Sequence, residues 1–181
     1  MWRAGRRGRG PGGGPLSGLT GLMQLTRHTD YALRVLIYLA HKEGELSTIA
    51  EISRSYGISE NHLMKIVHQL ARLGYVSTSR GKGGGLKLGR PPDQISLGEV
   101  VRNTEETLHV VECLANDYDG RCRLSPACRL KSVLHEAQMV FYKYLDQHTI
   151  ADLAGKRAVF AGIQFHARPA VQGRRREKAK V

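Results

Sequence analysis

Cys113, Cys122 and Cys128 are the only cysteines in the chain, and all three fall within sixteen residues. Eight residues separate the first pair and five the second. Thiols that merely fill a core have no reason to cluster in this way. Three soft thiolates on one loop suit an iron–sulfur cluster or a zinc ion, and are one ligand short of four. The close two-residue spacings of a paired zinc knuckle are absent. An unmetallated redox or structural loop is the third reading. An odd thiol count also argues against a secreted disulfide framework and for a reducing cytoplasm. Ser125-Pro126 reads as a helix start, with proline at the first helical position. Cys128 then falls in the first turn. There the helix N-terminus and Arg121, Arg123 and Arg129 favour thiolate.

A second set of residues suits a polyanion. Ser59 reads as the cap of a helix running to about Leu73, which Gly74 stops. Its apolar side is Leu63, Ile66, Val67 and Leu70. Its other side is Asn61, Lys65, His68 and Arg72, flanked by His62 and Gln69. Asn61, His62, Lys65 and Gln69 are of the types that reach base edges in a major groove, while Ser59 and Arg72 suit phosphate. Tyr75–Ser79 and Leu86–Leu88 read as two short strands joined by Arg80-Gly81-Lys82-Gly83-Gly84-Gly85. Arg80 and Lys82 place two cations at the tip. The glycines let backbone approach a phosphate or groove closely. The lysine, hydroxyl residue and helix that follow a P-loop's glycines are missing, which excludes that reading.

These residues need a frame. Ala32, Val35, Leu36, Leu39 and Ala40 repeat at helical spacing within a helix from Leu25 to His41. Thr48 and Glu51 match a capping box opening a short helix to about Tyr56. Gly57 and Ser59 then separate it from the next helix, the pattern of a helix-turn-helix with a wing. Pro91-Pro92 marks a joint. Ser96 and Glu99 form a second capping box, for a helix ending near Asn103. Residues 104–124 read as irregular. Leu130, Val133, Leu134, Ala137, Phe141, Tyr144 and Leu145 repeat over four turns of the last helix. The acidic loop before it is too small to cover that stripe, so a helix of a second subunit is expected to do so.

The expected organisation is therefore mainly α with a small β-hairpin. A winged helix-turn-helix domain spans 23–92, and a cysteine loop with a dimerisation helix spans 93–155. The formal net charge is +12 over 181 residues. Residues 1–22 carry four arginines and no acid, and residues 156–181 carry eight bases and one acid. Both tails read as flexible, the first Gly/Arg-rich and the second basic. Met23, followed at once by periodic apolar sequence, is an alternative start. Residues 23–92 hold ten bases against five acids, and 93–155 six against ten. The core is thus polarised, with its basic half where the DNA-facing residues lie. No apolar run is long enough to span a membrane. No Ser-His-Asp order or paired carboxylates point to an enzyme.

Three segments together resemble a known family. They are Met23–Arg34 (Met-Gln-Leu-Thr-Arg-His-Thr-Asp-Tyr-Ala-Leu-Arg), the Arg80–Gly85 turn, and the cysteine loop ending Cys128-Arg129-Leu130-Lys131. The chain is similar over about 23–155 to the winged-helix, iron–sulfur transcriptional regulators that include IscR. Within that family it most resembles the nitric-oxide-sensing repressors. The resemblance implies a homodimer on a palindromic DNA operator. It implies a cluster, with four or two irons, held by Cys113, Cys122 and Cys128. Asp30 from the partner subunit is the implied fourth ligand. Cluster-homeostasis members use a histidine three residues after the last cysteine. Lys131 stands there and cannot ligate while protonated. The gap between the first two cysteines is longer than in several relatives. Cluster nitrosylation would release the operator of nitric oxide detoxification genes. The alternatives are a regulator of the same family sensing iron or cluster supply, and a zinc-stapled DNA-binding module.

Overall fold

The computed structural model describes residues 24–81, 83–124 and 127–155. The expectations for the two tails, for Lys82 and for Ser125-Pro126 lie outside these residues. The described elements are α1 (Arg27–His41), α2 (Ile49–Tyr56), α3 (Glu60–Arg72), β1 (Val76–Ser79), β2 (Gly85–Leu88), α4 (Leu97–Thr104), α5 (Arg129–Asp146) and α6 (Ile150–Ala154). Short 3-10 turns occupy Pro92–Gln94 and Glu112–Leu114.

The first three helices form as their caps and periodicity dictate. Thr26 caps α1 by accepting from the Thr29 amide, so the helix opens two residues later than the apolar pattern suggests. The five apolar residues of its stripe are all buried. Thr48 and Glu51 make a reciprocal box at α2, with bonds of 2.7 and 3.2 Å. Gly57 ends that helix at φ 64°, a left-handed conformation that a residue with a Cβ adopts at a cost. Ser59 then caps α3. The two strands pair antiparallel, Val76 opposite Leu88 and Ser79 opposite Gly85. Ser47 bridges to Leu86 through amide–carbonyl bonds of 2.9 and 2.7 Å. The α1–α2 loop thus props the wing from one side.

One apolar core joins α1, α2, α3, the hairpin, α4 and α6. α1 lies at its centre, packing against α3, α4, α6 and β2. The short α6 is not anticipated by the sequence reading. Thr149 and Asp152 box its start, and buried Ile150 and Ala154 return the chain to the core. The Leu97 amide donates to the His148 carbonyl and the Ile150 amide to the Ile95 carbonyl, at 2.8 and 2.9 Å. Two other expectations are corrected. Cys128 is the N-cap of α5 and not a first-turn residue, since the helix begins at Arg129. Ser96 caps α4 as expected, but the Glu99 carboxylate does not reciprocate, because Tyr75 and Arg90 claim it.

Among the described residues, α5 contributes no buried side chain. Leu134, Gln138, Tyr142 and Leu145 are half-buried and mark the face turned to the chain's own body. The face beside it is apolar and open: Leu130 is 63% exposed, Val133 57%, Val140 67% and Tyr144 60%. No helix among the described residues is long and apolar enough to cross a bilayer.

Candidate nucleic-acid interface and cysteine loop

α3 divides as its sequence requires. Leu63, Ile66, Val67 and Leu70 are at most 5% exposed. Asn61, His62, Lys65 and Arg72 face solvent, as does Ser59 at the cap. Arg80 is exposed at the turn between the strands. All six side chains are thus open to solvent, four on α3, one at its cap and one at the hairpin turn. Gln69 departs from the expected set. It is half-buried, its Oε1 meets His28 Nε2 at 2.5 Å, and its Nε2 donates to the Asn103 carbonyl at 3.0 Å. Both ends of its amide are engaged at the junction of α1, α3 and α4.

The glycine run also has a local cause. Gly81 and Gly83 adopt φ 98° and 84°, so the turn itself demands them. A Cβ on Gly84 would lie 2.3 Å from the Ser79 carbonyl oxygen, and one on Gly85 2.8 Å from that of Ser47. The hairpin's own packing accounts for these glycines before any approach to DNA.

Asp30 sits in the first turn of α1 and is half-buried. Its carboxylate accepts from Arg34 at 2.9 and 2.8 Å. The Arg34 guanidinium lies 5.7 Å from the Tyr31 ring centre, and that ring meets His62 edge-on at 6.3 Å. Asp30 is thereby linked, through two neighbours on its own helix, to a solvent-facing residue of α3.

A second set of polar contacts converges on α4. The buried Tyr75 hydroxyl accepts from Asn103 Nδ2 at 2.8 Å and donates to Glu99 Oε1 at 3.0 Å. Arg90 Nη2 donates to the same carboxylate at 2.7 Å, and its guanidinium stacks 4.7 Å from the Tyr75 ring centre. Burial pushes the Tyr75 hydroxyl above its ordinary pKa, against the opposing Asn103 bond. Glu105, just past α4, accepts from the Thr26 amide at 2.8 Å. At the far side of α4, Arg102 pairs with Asp146 of α5 and holds that carboxyl below the usual carboxylate range. The sequence marks Glu99 only as a capping residue, and gives none of these side chains its partner in this network. A polar side chain inside a helix carries no signal of what it will face.

The cysteine loop leaves α4 and is pinned to α5. Cys113 sits in the Glu112–Leu114 turn, which packs on α5. The Val110 amide donates to Gln138 Oε1 at 3.1 Å. Cys128 caps α5 without a side-chain bond. Cys122 is exposed and its amide donates to the Tyr118 hydroxyl at 2.6 Å. Cys122, Tyr118, Glu112 and His109 line an open cavity of about 920 Å³. All three thiols are free. As a donor set they fit an iron–sulfur cluster in chemistry, being soft and tethered to two anchored points. In the single chain, no three His, Cys, Asp or Glu side chains among the described residues are gathered to hold a metal. Lys131 stands half-buried one turn into α5.

Comparison with known proteins accords with this architecture. The model of the Rrf2 family, iron-dependent transcriptional regulators, matches residues 25–156. The chain is 52% identical over 133 residues to the HTH-type transcriptional regulator NsrR of Bacillus subtilis, covering 72% of this chain and 90% of that protein. It is 50% identical over 137 residues to NsrR of Geobacillus kaustophilus, covering 75% and 92%. Among solved structures, IscR of T. potens superposes with a TM-score of 0.59 at 27% identity, covering 81% of this chain and 95% of that one. CymR of B. subtilis, a global cysteine regulator, gives 0.59 at 27% identity, covering 74% and 97%. The winged helix-turn-helix, its solvent-facing third helix and the extent of these matches lead to one conclusion: the chain belongs to the Rrf2 family of transcriptional regulators and is a DNA-binding repressor of that family.

Proposed function

We propose that the chain is a homodimeric repressor that holds an iron–sulfur cluster and releases a palindromic operator in response to nitric oxide. One observation carries the reading. An exposed polar and cationic side of α3 and a hairpin turn bearing exposed Arg80 stand in the same chain as three free thiols on a loop anchored to α4 and α5. About 50% identity to proteins named NsrR supports the assignment of the signal.

Asn61, His62 and Lys65 are the proposed base readers, and Ser59 and Arg72 the proposed phosphate contacts. Arg80, with Lys82 beside it in sequence, is proposed for the minor groove or backbone. Gln69 is assigned instead to holding α3 against α1 and α4. Cys113, Cys122 and Cys128 would hold the cluster, with Asp30 of the partner subunit as fourth donor. When bound, that cluster supplies iron at which nitric oxide can coordinate. The chain's own part is mechanical. Asp30 now pairs with Arg34, so ligation across the dimer means exchanging that partner. A carboxylate is a hard donor among soft thiolates, so Asp30 would be the weakest of the four donors. An Asp30 exchanged between the cluster and Arg34 would bear on Tyr31, which contacts both Arg34 and His62 of α3. The two α3 helices of a dimer must lie ~34–36 Å apart to enter successive major grooves, so small shifts of α1 against α3 weaken binding.

The test is an anaerobic nitric oxide titration of freshly purified protein, watched by visible absorption and by retention of operator DNA. A brown chromophore that bleaches at a few nitric oxide per subunit, with parallel loss of DNA binding, is the expected result. A colourless protein from anaerobic cells refutes the cluster. A coloured protein indifferent to nitric oxide refutes the signal.

A further inference from the structure

We infer that α4 carries the state of the cysteine loop to both DNA-reading elements of its own subunit, with Asn103 and Glu99 as its positioning residues. The inference rests on the regulator reading above. It adds a route inside one subunit to the Asp30 contact between subunits.

Glu99 and Asn103 lie four residues apart on α4, and so share a face. Between them they hold the Tyr75 hydroxyl. Tyr75 immediately precedes β1, and Arg90, on the same Glu99 carboxylate, lies two residues past β2. Both strands of the wing are therefore gripped at their root by one helix. The Gly89 amide closes the root on the Tyr75 carbonyl at 2.9 Å. The backbone carbonyl of Asn103 holds Gln69 of α3, and Gln69 in turn holds His28 of α1. Two residues further on, Glu105 holds the first amide of the α1 cap. The cysteine loop starts there.

Hydrogen bonds are directional, and lose strength steeply as their angle opens. Apolar contacts tolerate sliding. A loop that tightens or slackens pulls first on the last turn of α4. A small rotation of that turn swings the Asn103 side chain and carbonyl together. The side chain moves the wing through Tyr75, and the carbonyl moves the recognition helix through Gln69. The buried Tyr75 ring cannot relax into solvent to absorb the motion. Neither Asn103 nor Glu99 needs to touch DNA for this.

The test compares cluster-loaded and cluster-free full-length protein, wild type and Asn103→Ala. The probe is a palindromic duplex selected from random-sequence DNA by loaded wild-type protein. Asn103 is exposed, so Asn103→Ala removes its bond to Tyr75 without opening a cavity in the apolar core. In wild type the loaded form is expected to bind at least tenfold more tightly than the cluster-free form. In Asn103→Ala that ratio falls to threefold or less. Tyr75→Phe, which keeps the ring and loses the hydroxyl, reproduces the effect. Amide exchange gives a readout independent of DNA. Cluster removal speeds exchange across Val76–Ser79 in wild type and leaves it unchanged in Asn103→Ala. A merely structural role lowers both affinities together and preserves the ratio. A preserved ratio in both variants overturns the inference. A wild-type ratio near one overturns the regulator reading, and this inference with it.

Discussion

Val140→Ala tests the open face of α5. Val140 is 67% exposed in the single chain and sits in the middle of the apolar stripe from Leu130 to Tyr144. Full burial of a valine side chain is worth about 1.5–3 kcal/mol, so covering two-thirds of it gives about 1–2 kcal/mol. A two-fold dimer contains the residue twice, which makes about 2–4 kcal/mol per dimer. At about 1.4 kcal/mol per decade, the dimer dissociation constant should rise roughly 30- to 700-fold. The melting temperature measured with both proteins monomeric should hardly move, because α5 contributes nothing buried to the core of one chain. Sedimentation equilibrium over a dilution series reads the constant directly. An unchanged constant refutes the assignment of this face to the dimer. A large fall in monomer stability refutes the division of α5 into an inner and an outer face.

Three other outcomes follow from the geometry. Arg80→Ala should weaken operator binding across sequences and reduce the slope of log affinity against log salt by about 0.9, as expected for one lost phosphate contact; filter binding at several salt concentrations checks both. Gly98→Ala should destabilise the domain by about 1–3 kcal/mol, because its Cβ would lie 2.1 Å from Asp146 Oδ1 and 3.1 Å from the Asp146 amide nitrogen; urea unfolding reads the cost. The Asp146 carboxyl is held below its ordinary range by Arg102. A carboxyl with a lowered folded pKa binds fewer protons in the folded state, so its stabilisation is present above the ordinary carboxylate range. It is lost as pH falls through the lowered value. The pair is exposed and its contribution small, so Asp146→Asn should flatten only the acid limb of the stability profile, seen by thermal melts between neutral pH and pH ~2.

The frame of the DNA-binding half was legible because its signals are local. Thr48 with Glu51, Ser59, Gly57 and Gly74 each act within a few residues, and the apolar periods of α1 and α3 name their own buried sides. The cysteine triplet stands out by spacing alone, which is also a local signal. What escaped depends on distant partners. Gln69 has the composition of a base reader, and only the arrival of His28 and Asn103 turns it inward. Glu99 matches a capping box, and Tyr75 and Arg90 divert it. The wing glycines fit a groove in principle, but Ser79 and Ser47 leave no room for a Cβ there. The small α6 carries a local sequence signal of its own, the Thr149–Asp152 capping box, but one turn of helix is too short for an apolar period.

The chain's return through α6 has a bearing on how target sites change. α5 is held at Gln138 and Tyr142 by the cysteine loop, near its end by Arg102 of α4, and after its end by α6 on α1. It is a beam fixed to the body that carries the reading helix, not a hinged arm. In a dimer built on α5, the gap between half-sites is then set by the pitch of one beam against its twin. The spelling within each half-site is set elsewhere, by a few side chains on α3. Spacing and spelling can therefore drift separately. Substitutions along the outer face of α5 would retune the length of an operator while leaving its letters alone.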